Sequence, residues 1–88
     1  MAEQHEPDTA IGTVTHYFGH LSVAAVSLTA PLRIGDEVHI QGHTTNLSQR
    51  IESMEVDHQP VTEAKPGDDV AIKVVDHVRE HDNIFREG

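Results

Sequence analysis

Three His-x3-His pairs punctuate this chain: His16/His20, His39/His43 and His77/His81. On a helix, residues four apart share a face, and such a pair can bind zinc. On a strand the same two residues stand ~13 Å apart, too far to chelate one ion. Each pair spans a strand end and a turn, so the local turn decides between these outcomes. Three histidines, His39, His43 and His58, are the metal-ligating candidates, because one loop could gather them. Solvated histidines bonded to nearby acids are the plainer reading, and no metal or other cofactor is expected. The fixed cations are Arg33, Arg50, Lys65, Lys73, Arg79 and Arg86. Arg50 and Lys73 fall on outward strand faces beside His39, Gln41, His43 and Thr44. These six residues form the candidate binding face. Tyr17 and Phe18 are adjacent and point to opposite sides of a strand, so one of them is a candidate stacking surface.

Catalytic chemistry finds no such foothold. The chain has no cysteine, no HExxH and no serine in a nucleophile elbow. Asp68-Asp69 is acidic, but an aspartate after a glycine shapes its turn by accepting backbone N–H groups. The chain is therefore expected not to be an enzyme.

Charge narrows the partners. There are 15 acids against 6 Lys and Arg, a formal charge of −9 with histidine neutral. That field opposes nucleic acid, whose binding depends on neutralising phosphates. Protonating all eight histidines would bring −9 to −1. A protein partner is favoured, with RNA as the second choice. No stretch approaches the ~20 apolar residues of a membrane span, and Met1 to Thr9 lacks an apolar signal core, so a cytoplasmic protein with no membrane partner is expected. The oligomeric state is not legible.

The elements that position these residues are strands. Gly-Asp-acid-Val-x-Ile occurs twice, as Gly35 to Ile40 and as Gly67 to Ile72. Each copy supplies a turn and then launches an alternating strand. Residues 1–9 read as a flexible tail and 10–88 as one domain. Strands are expected near 11–18, 22–28, 37–42, 47–56, 69–75 and 84–86, with a short extended piece at Val61. The apolar positions of 47–56 change parity between Ile51 and Met54, which calls for a bulge. Residues 76–83 read as a turn region in which Val78 can pair locally; no helix of normal length is expected, and the best helical candidate, 76–82, lacks apolar periodicity. The expected core is Val14, Ala24, Val26, Leu28, Val38, Ile40, Ile51, Val70, Ile72 and Val74. The fold class is all-β, a small closed barrel of six to seven strands.

Taken together, Ile11-Gly12-x-Val14, Leu32-x-x-Gly35-Asp36-x-Val38-x-Ile40-x-Gly42, Ile51-x-Ser53-Met54 and Ala64-x-x-Gly67-Asp68-x-Val70 fall in a recognisable order. The pattern resembles the second, β-barrel domain of translational GTPases such as elongation factor Tu and initiation factor two. Gly42-His43-Thr44-Thr45 and Val78-Arg79-Glu80-x-Asp82 look closer to stand-alone elongation factor-like proteins and to the C-terminal barrel of collagenase-like peptidases. The GTPase phosphate loop is absent, so no GTPase activity is implied. The resemblance implies a non-enzymatic binding module tied to translation or tRNA metabolism, holding a protein partner or an RNA end. The alternative is a metal- or pH-responsive histidine-rich binding protein.

Overall fold

A computed structural model describes residues 10–87; the expected tail over 1–9 lies outside them. The chain forms ten strands: β1 Ala10–Phe18, β2 Val23–Leu28, β3 Leu32–Arg33, β4 Glu37–Gln41, β5 Asn46–Arg50, β6 Met54–Val56, β7 Gln59–Pro60, β8 Glu63–Ala64, β9 Asp69–Lys73 and β10 Asn83–Glu87. Eight of them make one curled sheet in the order β5-β4-β10-β1-β2-β9-β6-β7, and β3 pairs with β8 in a separate ribbon. All pairings are antiparallel.

The expected closed barrel is corrected to an open half-barrel. The edge strands β5 and β7 do not pair with each other. One edge ends at Pro60, which has no N–H to offer a further strand. At the other, a side chain stands in for a ladder. The Gln49 carboxamide donates to the Lys73 carbonyl at 2.9 Å and accepts from the Val75 N–H at 3.0 Å. It thereby bridges β5 to the end of β9.

The expected strand over 47–56 is likewise two strands. β5 pairs with β4, whereas β6 pairs with β9 and β7. The parity change between Ile51 and Met54 marks the crossing from one side of the opening to the other, not a bulge. The bulge lies instead in β1, where the register on β2 shifts between Val14 and His16. It lets Val14 and Tyr17 both pack inward, while His16 and Phe18 face outward. Residues 76–82 hold no helix. Their backbone is committed to turns, and Val78 plugs fully into the core.

All ten expected core residues are buried, joined by Ile11, Leu32, Met54, Ala64, Val78 and Ile84. Leu32 and Ala64 come from the β3–β8 ribbon.

The doubled motif proves to be tripled. In Arg33–Asp36, the Asp36 N–H donates to the Arg33 carbonyl, and the Asp36 carboxylate accepts the Arg33 N–H at 2.9 Å. Lys65–Asp68 repeats both bonds. So does Arg79–Asp82, where the Asp82 carboxylate takes the Arg79 N–H at 2.8 Å. The third residue of each turn has positive φ: 96° at Gly35, 93° at Gly67 and 76° at His81. A type II turn demands this, and Pro66 at the second position agrees. Each turn also grips one distant buried residue by both of its backbone groups. Gly35 N–H and Asp36 C=O hold Ile51; Gly67 and Asp68 hold Leu28; His81 and Asp82 hold Val14, all at 2.8–3.1 Å. These are three copies of one clamp, each closed on an aliphatic residue of the core.

Candidate functional site

His39 sits mid-β4, opposite Ser48 on β5 and Phe85 on β10. Its Nε2 lies 2.5 Å from Asn46 Oδ1, and its Nδ1 lies 3.6 Å from Glu87 Oε2. Ser48 Oγ donates to that same carboxylate oxygen at 3.0 Å. Glu87 thus stands between the serine and the histidine. A histidine that activates a serine must itself accept the hydroxyl proton, and here the carboxylate takes it. The arrangement is a surface network tying β4, β5 and β10 together. Glu37 and Arg50 extend it at 3.5 Å across the same strand pair.

The six residues of the expected binding face divide among several places. His39 belongs to the network just described. Gln41 ends β4, exposed, opposite Asn46 and Asn83. His43 is exposed in the 42–45 turn. Thr44 lines a polar depression of about 340 Å³ with Asn46, Asp76, His77 and Arg79. Arg50 and Lys73 do come together, on the walls of a depression of about 440 Å³ at the sheet opening, with Gln49 and Val75.

The histidine pairs separate. His58 occupies the β6–β7 turn with φ of 65° and borders a different depression with Glu55, Asp57 and Asp69. It does not join His39 and His43. Among the described residues no group of three His, Asp or Glu has the spacing to hold a metal ion. His16 lies 3.2 Å from Glu80 and 4.4 Å, ring to ring, from Phe18. His77 packs edgewise on Tyr17 at 4.6 Å. His81 serves through its backbone.

Two things escaped the sequence reading. One is the buried Asp82, whose Oδ1 would lie 1.8 Å from a Cβ placed on Gly42. Gly42 is therefore a glycine so that the 42–45 turn can rest on the third clamp. The signal was the shared spacing of Arg79-x-x-Asp82 with Arg33-x-x-Asp36 and Lys65-x-x-Asp68. The other is Gln49, for which the sequence carries no signal beyond a half-buried strand parity.

No protein-family model matches the chain. It is 37% identical over 76 residues to an uncharacterised protease of Methanocaldococcus jannaschii, covering 85% of this chain and 19% of that one. It is 35% identical over 80 residues to a collagenase of Porphyromonas gingivalis, covering 89% and 22% respectively. The chain thus spans about a fifth of the length of the curated relatives it matches. Among solved structures, it superposes on the C-terminal domain of a protein described as a U32 peptidase of Geobacillus thermoleovorans. The TM-score is 0.86 at 24% identity, over 98% of this chain and all of that one. A selenomethionine variant of that domain gives 0.82 at 26% identity, over 89% and 98%.

The fold is that of a C-terminal peptidase domain. More particularly, the chain is similar in fold to the C-terminal domain of a U32 peptidase and in sequence to a stretch of an uncharacterised protease and of a collagenase. The matches support the collagenase-like part of the expected resemblance and not the translation-factor identity. They overturn the expected function in translation or tRNA metabolism, and the RNA-binding role with it, because the relatives are proteases. The misreading has a physical origin. Gly-Asp-acid-Val-x-Ile encodes a clamp and a core strand, so it reports architecture and carries no chemistry of its own. Among the described residues no helix is long and apolar enough to cross a membrane.

Proposed function

We propose that this domain is a non-catalytic accessory module of U32-type peptidase machinery, holding a protein partner, the peptidase's main body. The observation that carries this reading is the end-to-end match to an isolated C-terminal peptidase domain, over 98% of one chain and 100% of the other. A unit that matches the C-terminal part of a peptidase from end to end suits a place beside a peptidase body. The surface suits a protein partner. A chain of −9 is repelled by polyanions. Asp36, Asp68 and Asp82 are engaged in the clamps and His39 with Glu87 in a strand-tying network, so these groups serve structure.

Domain exchange tests the proposal. The Geobacillus peptidase is prepared intact, without its C-terminal domain, and with this domain in its place. The chimera is expected to recover the peptide hydrolysis that truncation loses. A chimera no better than the truncated enzyme, or a truncated enzyme as active as the intact one, overturns the proposal.

A further inference from the structure

The opening of the half-barrel has the features of an unfilled strand position. β6 accompanies β9 as far as Ile72, which pairs with Met54. Beyond it, the Lys73 carbonyl and the Val75 N–H face the gap toward β5, and the Gln49 amide satisfies both. A donor and an acceptor bonded to residues j−1 and j+1 is the pattern by which a strand residue joins a parallel ladder. Gln49 thus imitates one residue of a missing strand.

The surroundings are unusually apolar for this acidic surface. Val75 is 72% exposed and Leu21 is 53% exposed. They occupy neighbouring positions, since Val23 pairs with Lys73 and the Val74 N–H donates to the Ser22 carbonyl. Phe18, whose carbonyl accepts the Leu21 N–H, adds a third exposed apolar side chain in the same hairpin. Arg50 and Lys73 line the depression beside Gln49, together with Glu52. Arg50 is shared with Glu37. Lys73 has no carboxylate within 4 Å among the described residues.

We infer that this opening is the docking surface for an extended segment of the protein partner, added as a strand beside Lys73–Val75 in place of the Gln49 amide. Strand addition draws affinity from main-chain bonds and specificity from alternate side chains. Apolar side chains of the segment cover Val75 and Leu21, and an acidic one meets Lys73. The inference deepens the reading above, because it names the surface through which a partner is held.

The test needs no peptidase, so its failure is separate from failure of the domain exchange. The ¹⁵N-labelled domain is titrated in physiological salt with a capped octapeptide in which every second residue is alanine and the others alternate valine and glutamate, so that one face offers both, since Lys73 and Val75 share a face. The same peptide with lysine for glutamate is the control. The net charge of −9 alone predicts preference for the lysine peptide; the local surface predicts the reverse. The expected result is amide shifts confined to residues 20–22, 48–50 and 73–75, with the glutamate peptide bound at least about tenfold more tightly. Lys73→Glu should abolish that preference, and Gln49→Ala, which vacates the position, should tighten binding. Equal or stronger binding of the lysine peptide, shifts located elsewhere, no shift at millimolar peptide, or weakened binding by Gln49→Ala would each overturn the inference.

Discussion

His81 is the residue at which the third clamp departs from its siblings. It holds a φ of 76° where the other two copies use glycine. A side chain in this region costs about 1–2 kcal/mol, because Cβ crowds the backbone. Glycine would relieve that strain but would lose more entropy on folding. His81→Gly is therefore expected to stabilise the domain by a net ~0.5–1 kcal/mol. Thermal denaturation should show Tm raised by roughly 4 °C. An unchanged or lowered Tm would mean that the exposed imidazole contributes something the clamp geometry does not require. The Gly-Asp dipeptide marks only two of the copies, whereas the physical repeat is a basic residue, a positive-φ position and an aspartate. Gly42 was similarly opaque, since its requirement comes from Asp82, forty residues away in sequence.

Strands with regular alternation were the legible elements. In β2, β4 and β9 every second residue is buried, and the sequence shows it directly. The failures lie where one element hands over to another. Residues 47–56 read as a single strand because the parity change between Ile51 and Met54 is as compatible with a bulge as with β5 and β6 taking different neighbours. Residues 76–82 read as a turn region and hold no helix; what stays hidden there is that Val78 plugs into the core. Strand β9 gives the sharpest test of the inward assignment. Val70 is 2% exposed and pairs with Val26. Val70→Asp would bury an unpaired carboxylate and is expected to cost about 3–5 kcal/mol, enough to abolish the cooperative chemical denaturation transition of so small a domain. A variant with wild-type midpoint would place Val70 outside the core.

For the molecule as a whole, acidity dominates. As pH falls, carboxylates take up protons and histidines gain charge, so −9 rises toward zero near the sequence pI of about 5.1. Self-repulsion vanishes there, while Leu21 and Val75 stay exposed. Turbidity is expected to peak near pH 5 and to clear on either side. Placing a lysine at Val75 should shrink that peak; an undiminished peak would show that the exposed apolar end does not drive the association. Strand addition at the half-barrel opening and aggregation at low net charge would then draw on one and the same surface.

The three clamps also imply an order of events as the chain folds. Their partners are nested: Gly35 to Ile51 lies within Leu28 to Gly67, which lies within Val14 to His81. The separations are 16, 39 and 67 residues. Loop-closure entropy makes the outermost contact about 1.3 kcal/mol costlier than the innermost if each formed from the open chain. Once the inner clamp shuts, the next has far less than its full span to gather, and so has the last once the middle clamp is closed. A sheet whose outermost partners are distant can therefore assemble from the inside outward, avoiding much of the slowness that distant pairing imposes. Truncating Ile51 to valine should slow refolding in proportion to the stability it removes. Truncating Val14 to alanine should chiefly speed unfolding. The opposite pattern in stopped-flow kinetics would mean that the terminal strands meet first.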